Sequence, residues 1–270
     1  MPRASVLACP ASLKGVLSAR DAAAALARGL GDCDRLPLAD GGEGTADVVP
    51  GVVEAASVIP FDPARLDPFT SSRPFGELLA SLSVDRLVVG LGGTANMDAG
   101  AGMLEVLDAL PPRTVLCDVA TTLYDAPRLY GPQKGATPDQ VVELEARFRA
   151  DERLAPYARL PGSGAAGGLG AALASLGAEL VPGAAAVLDL LGFDPAPYSL
   201  VVTGEGRVDA TTAEGKVPFE VARRCRAAGV RCVVFGGVVT RPLAGAETVA
   251  LSGDPSRAVV DLEALGARLR

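Results

Sequence analysis

Three lysines stand apart in a chain that otherwise takes its positive charge from arginine. Lys14, Lys134 and Lys216 are the only lysines among 25 basic residues, and each adjoins a glycine, in SLKGV, PQKGA and EGKVP. All three fall in predicted loops. An ammonium is a compact point charge suited to phosphate. The competing reading is chance, because the chain has 32 glycines.

The richest stretch is VVTGEGRVDATTAEGK, residues 201–216. A Val-rich run, predicted to stop at a Thr-Gly-Glu-Gly turn, leads into Arg207, Asp209 and Lys216, and a helical pattern follows. A lysine at a helix N-terminus adds positive charge to the positive end of the dipole, which is unfavourable alone. A bound phosphate reverses that, since free N–H groups, dipole and ammonium then face one anion. Glu205 and Asp209 beside it could hold a metal or take a proton from a substrate hydroxyl. A solvated loop in which Arg207 pairs with the two acids is the plainer alternative.

Two other loops share this character. LADGGEGTADVV, 38–49, sets Asp40 and Glu43 among three glycines, with Thr45 placed to cap or ligate. GLGGTANMDAGAGM, 90–103, follows a predicted strand and opens a helix, so its backbone could approach a ligand closely. GSGAAG at 162–167 has the G-x-G-x-x-G spelling, but the segment before it is a poor strand. An NAD(P)-dependent oxidoreductase would rest on that spelling alone. The G-x-x-x-x-G-K-[ST] pattern is absent from the sequence, which excludes a P-loop NTPase.

The elements that must carry these loops alternate. Strands are predicted at 5–10, 51–59, 86–93, 114–119, 198–204 and 231–237, and helices at 18–29, 100–109, 138–149, 165–176 and 217–228. Such alternation implies an α/β fold with a mostly parallel sheet, in which ligands bind at the carboxyl ends of strands. Two turn-rich stretches, 59–76 and 120–139, read as hinges.

Composition narrows the chemistry further. With 270 residues, 49% of them hydrophobic, the chain can build one large or two modest domains. A net charge of −7 and 4% aromatic residues argue against nucleic acid and anionic membrane as partners. The first ten residues carry too short an apolar run for a signal-peptide core. The five cysteines, an odd number without a Cys-x-x-Cys pair, read as reduced thiols of a cytoplasmic protein. The absence of histidine from the sequence leaves acid–base work to Asp or Glu, with Lys, Cys or Tyr more remote.

Six blocks, ASLKGVLSA, LADGGEGT, VGLGGTANMDAGAGM, GPQKGATP, PGSGAAGGLGAAL and VVTGEGRVDATTAEGKVP, stand in the order seen in the bacterial glycerate kinase family that lacks a P-loop, which this chain resembles. The resemblance runs in pieces from about Leu7 to Gly236. It implies ATP-dependent phosphorylation of glycerate, with Mg2+, on two α/β domains, the first Rossmann-like and built from both chain ends (1–50 plus 195–270) and the second inserted (51–194). Carried over, Glu205, Asp209 and Lys216 become catalytic residues, with Asp209 also the metal ligand. Lys14, Asp40, Glu43 and Arg207 become substrate-binding residues, and Gly92, Gly93, Thr94, Asp98 and Lys134 nucleotide-binding ones. A homodimer is compatible with the resemblance.

The family pattern also differs in places. Ala11 stands where the family carries an acid, Asn96 and Met97 fall in its Ser-Ala-Thr-Asn-Asp-Gly-Gly block, and the inserted domain is shortened, with material missing between Leu110 and Arg113. The sequence therefore carries two readings: a kinase for glycerate or a similar hydroxy acid, and a decayed relative that binds a nucleotide or small acid as a sensor.

Overall fold

The computed structural model describes residues 5–109, 111 and 113–270. The leading four residues, Leu110 and Pro112 lie outside it, and so does the shortened link expected before Arg113. The chain divides into two compact units, one of residues 1–40 and 187–270 and one of residues 41–186. Each unit is built on its own parallel sheet.

In the first unit, β1 (Val6–Ala8) leads to α1 (Ala19–Leu30) and the two-residue β2 (Asp34–Arg35). The strand order is β2-β1-β7-β8-β9, where β7 is Leu200–Val208, β8 Arg231–Val239 and β9 Glu247–Ala250. β1 pairs in parallel with β7, Val6 opposite Leu200 and Ala8 opposite Val202, so both chain ends build this one sheet. Ser18 caps α1 by accepting the Asp21 N–H at 3.1 Å, as its place before an Ala-rich helical run requires. α8 (Val217–Ala227) and α9 (Ala258–Leu269) complete the unit. α1 lies so close to α9 that a Cβ on Gly29 would stand 2.0 Å from the Glu263 carbonyl oxygen, and one on Gly266 2.6 Å from that of Leu26. Leu26, Leu30, Val202, Phe235, Leu262 and Leu265 fill the space between these helices and the sheet.

β7 corrects the sequence reading at its most important place. The Thr-Gly-Glu-Gly segment is strand, not turn, and pairing with β8 continues through Glu205 opposite Gly236 to Val208 opposite Val239. The glycines serve close approach instead of chain reversal. A Cβ on Gly204 would lie 2.3 Å from the Phe235 carbonyl oxygen.

The second unit has the strand order β3-β4-β5-β6, from β3 (Val52–Glu54), β4 (Leu87–Gly90), β5 (Arg113–Cys117) and β6 (Glu179–Pro182). Its helices are α2 (Arg73–Ser81), α3 (Ala101–Leu104), α4 (Ala126–Tyr130), α5 (Pro138–Ala150), α6 (Ala165–Ser175) and α7 (Gly183–Leu190), the last of which runs across the unit boundary. Phe75, Val89, Met97, Met103, Val115, Leu144 and Phe148 centre its core. α2 starts inside the first stretch read as a hinge and α4 lies inside the second, and in each a proline occupies the first helical turn. Proline lacks only an N–H that is orphaned there anyway, so it starts these helices.

Candidate functional site

The first unit gathers its chemistry at the carboxyl end of the sheet, beside β7. Ala11 N–H donates to the Gly204 carbonyl at 2.9 Å, so the chain after β1 continues alongside β7. A tight turn follows, with Leu13 bridged to Leu17 and Gly15 at φ +73°, and Lys14 lies exposed on it. Gly206 packs beneath, where a Cβ would be 3.5 Å from Leu13 Cα and 3.6 Å from Lys14 N. From β2, bonds from Leu36 N to Ala8 O and from Leu38 N to Pro10 O, both 2.9 Å, carry the chain to Asp40 at the same sheet end.

The pKa values of Glu205 and Asp209 are shifted in opposite directions. Burial raises that of Glu205 above the ordinary glutamate value; Lys216 and a hydrogen bond from Thr212 pull it down, and Asp40 and Asp209 push it up. Thr212 Oγ1 donates to Glu205 Oε1 at 2.8 Å and accepts from Asp209 N–H at 3.1 Å, so one buried hydroxyl ties the two acids together. Asp209 Oδ1 in turn accepts from Thr211 N–H at 2.9 Å and Oγ1 at 2.7 Å. Those bonds from Thr211, aided by Lys216 and Arg207, hold the half-buried Asp209 carboxyl below the usual aspartate value against the opposing effect of burial.

Lys216 stands at the N-cap of α8 and makes no side-chain capping bond; Pro218 follows in the first turn. Its charge against the helix dipole is offset by the fields of Glu205 and Asp209, both of which it stabilises as anions. Arg207, on β7, is exposed. The first unit thus brings Lys14, Asp40, Glu205, Arg207, Asp209 and Lys216 to one sheet end. Thr212 was missed as a partner although it lies in the same block; its role follows from the 3-10 turn at 210–214, which no periodicity announces.

Glu43 belongs to the second unit. The DGGEG block crosses the unit boundary after Asp40, which separates two acids that look adjacent in sequence. Gly42 and Gly93 show what the block does: a Cβ on Gly92 would lie 2.5 Å from Gly42 Cα, and one on Gly93 3.0 Å from Glu43 Cβ. Thr45 is buried and gives its hydroxyl to the Gly42 carbonyl at 2.6 Å, closing its own loop.

Four of the five residues assigned to a nucleotide, Gly92, Gly93, Thr94 and Lys134, line one cavity of about 90 Å³, together with Asp118 and Tyr130. Lys134 is only 5% exposed. Its Nζ donates to the Asn96 carbonyl at 2.8 Å. Burial lowers its pKa to about 8, against the opposing fields of Asp118 and Asp98. Thr94 is 3% exposed, and its hydroxyl has no hydrogen-bond partner. The cavity wall is completed by Ala166 and Gly167, where Ala166 takes φ +51°.

Asp98, the fifth, does not line the cavity. Oδ2 accepts from Ser72 N–H and Oγ at 2.7 and 2.8 Å and from Gly102 N–H at 3.2 Å, while Oδ1 accepts from Asn96 Nδ2 and Gly100 N–H, both at 3.1 Å. It holds the 96–102 turn onto the start of α2. Asp118 was missed; it directly follows β5, at the carboxyl end of a parallel strand, and that position was the available signal.

Known proteins share this arrangement over nearly the whole chain. The model of the glycerate kinase family matches residues 6–62, 50–111 and 112–253. Glycerate 2-kinase of Escherichia coli is 31% identical, over 80% of this chain and 81% of that protein. Glycerate kinase of Bacillus subtilis is 31% identical, over 87% and 85%. A solved structure assigned to glycerate kinase 2 of Salmonella typhimurium superposes with a TM-score of 0.79 at 27% identity, covering 98% of this chain and 97% of that one. The chain belongs to the glycerate kinase family and is a glycerate kinase-like phosphotransferase with an alcohol group as acceptor.

Proposed function

We propose that the protein transfers the γ-phosphoryl group of ATP to a hydroxyl of glycerate or a similar small hydroxy acid. The observation that carries this reading is Glu205: a half-buried carboxyl with a raised pKa, hydrogen-bonded to Thr212, beside a lysine at a helix N-terminus. Phosphoryl transfer requires positioning and charge neutralisation above all, plus an acceptor for the hydroxyl proton. A raised pKa makes Glu205 a stronger base than an ordinary glutamate and suits it to accept that proton. Lys14, Arg207 and Lys216 supply positive charge for anionic groups of the two substrates.

No cluster of three metal-ligating side chains exists among the described residues. Mg2+ in kinases is commonly held by one or two carboxylates plus the substrate phosphates, so this does not conflict with its use. Asp209 fits that donor set. Its depressed pKa keeps it anionic, and Thr211 orients it. When bound, Mg2+ would neutralise phosphate charge.

The family membership supports a working kinase over a decayed sensor. Ala11 is buried against β7 and Met97 lies in the core, so both departures are absorbed by packing. Among the described residues no helix is long and apolar enough to cross a membrane. The test is ADP release in an enzyme-linked assay with ATP, Mg2+ and a panel of small hydroxy acids. ADP release that depends on the acid is the result expected; release indifferent to every acid would contradict the reading.

A further inference from the structure

The cavity of the second unit contains a buried hydroxyl without a partner and a buried ammonium that makes one hydrogen bond among the described residues. The Lys134 ammonium has three N–H groups, and among the described residues its one hydrogen-bond acceptor is the Asn96 carbonyl. The Thr94 hydroxyl, buried in the same wall, has no partner. A buried donor left unmade is costly and rare, so the Thr94 hydroxyl beside a buried ammonium with N–H groups to spare points to a ligand.

The fold accepts strain to shape this wall. Ala166, Gly167 and Gly168 take φ of +51°, +63° and +96° in succession. Gly167 cannot carry a side chain, because a Cβ would stand 2.0 Å from the Asn96 carbonyl oxygen, the acceptor that positions Lys134. Non-glycine residues in this region are costly and cluster at ligand sites.

Size and charge define the occupant. The cavity is small, about 90 Å³, below the roughly 300 Å³ and more of pockets for drug-sized ligands. Asp118 places a carboxylate against Gly92, with Oδ2 only 2.8 Å from where a Cβ would be, in the same cavity wall as Lys134. A polyphosphate would be repelled there. A molecule with one carboxylate and adjacent hydroxyls matches both signs.

We propose that this cavity is the hydroxy-acid pocket, in which Lys134 and Thr94 take the substrate carboxylate and Asp118 accepts from one of its hydroxyls. This rests on the kinase reading above and reassigns Gly92, Gly93, Thr94 and Lys134 from nucleotide to acceptor. The cations of the first unit are then left to the phosphates of ATP. The lowered pKa of Lys134 agrees with a cation that is desolvated in wait for an anion.

Calorimetric titration of the full chain with D-glycerate, and separately with ATP and Mg2+, tests this. Lys134→Met should raise the Kd for D-glycerate at least tenfold and leave that for ATP within twofold. Thr94→Val should raise the Kd for D-glycerate several-fold without lowering Tm, because it removes an unpartnered hydroxyl at nearly constant shape; it decides the matter should Lys134→Met not fold. Loss of ATP affinity with D-glycerate binding unchanged would overturn the proposal, and so would wild-type Kd values for D-glycerate in both variants. If the kinase assay succeeds while both variants bind D-glycerate normally, the pocket falls and the kinase reading stands. If wild type binds D-glycerate but ADP release never depends on it, the reverse holds. A wild-type protein with no affinity for D-glycerate, lactate or glycolate overturns the hydroxy-acid occupant.

Discussion

Both units place lysine among acids and glycines at the carboxyl end of a parallel sheet, Lys14 and Lys216 in the first and Lys134 in the second, yet they perturb opposite partners. In the first unit the acid is displaced: burial raises Glu205, while Lys216 remains half-buried at the head of α8. In the second the lysine is displaced: burial lowers Lys134 to about 8. A carboxyl raised toward neutrality is poised for a proton, whereas a desolvated ammonium is poised for an anion. On the proposed reading, the same residue types divide the work by depth, with proton handling in the first unit and ligand holding in the second.

The sharpest way to break this comparison is to remove the displaced acid. Glu205→Gln keeps the shape and the bond from Thr212, and is expected to lower kcat by about 10²-fold or more, the ordinary range for a lost general base, with Tm little changed by circular dichroism. A fully active variant would pass the proton to Asp40 or Asp209.

Charge on the neighbouring groups should matter next. Lys216→Ala is expected to reduce kcat more than ATP affinity, because its field counts most as charge develops in transfer. Asp209→Asn separates two roles. A steeply raised Mg2+ requirement marks a metal ligand, whereas a collapse of turnover with unchanged Mg2+ dependence would make Asp209 the base.

A smaller effect reads the second unit through pH. Lys134 has a folded pKa of about 8, below the value of about 10.4 for an unfolded lysine. Between these values the unfolded chain binds more protons, so this group's contribution makes stability rise with pH above about 8. D-glycerate binding should weaken over the same window, as the ammonium held by Asp118 and Asp98 loses its proton. Denaturant melts of wild type against Lys134→Met at pH 7 and 9.5 check the sign: wild type should gain stability relative to the variant at the higher pH, and a relative loss would contradict it.

The smallest effect concerns strain. Ala99 sits at φ +55°, between Asp98 and the left-handed Gly100. Ala99→Gly relieves a penalty of about 1 kcal/mol, readable as a small rise in the urea midpoint with the m-value unchanged. A fall would show that the entropy lost to glycine outweighs that strain.

Much of the frame was legible because parallel strands buried on both faces leave apolar runs. β1 and β4 lie within their predicted runs, β5 starts one residue before its run, β7 and β8 continue past the ends of theirs, and the run at 51–59 covers β3 and a 3-10 turn. What escaped had little pattern to show. β2 is two residues long, β6 ends in a proline, and β9 is an edge strand of four. α9 and the helices inside the turn-rich stretches were missed because prolines and polar residues there were read as breaks, although α2 and α4 carry them in the first turn. α3 is only Ala101–Leu104, far short of the run expected to 109. In the site, residue types and glycine spacing announced both lysine clusters. They could not tell that Asp40 and Glu43 fall in different units, that Asp98 is consumed by its own turn, or that Asp118 faces the cavity, because each depends on tertiary position.

The most direct test is ³¹P NMR of ATP, Mg2+ and D-glycerate with wild type and with Glu205→Gln. The account predicts a new phosphomonoester resonance that grows with ADP in wild type and is absent over the same interval in the variant. Inorganic phosphate in place of the phosphomonoester, or its equal growth in both proteins, would contradict it.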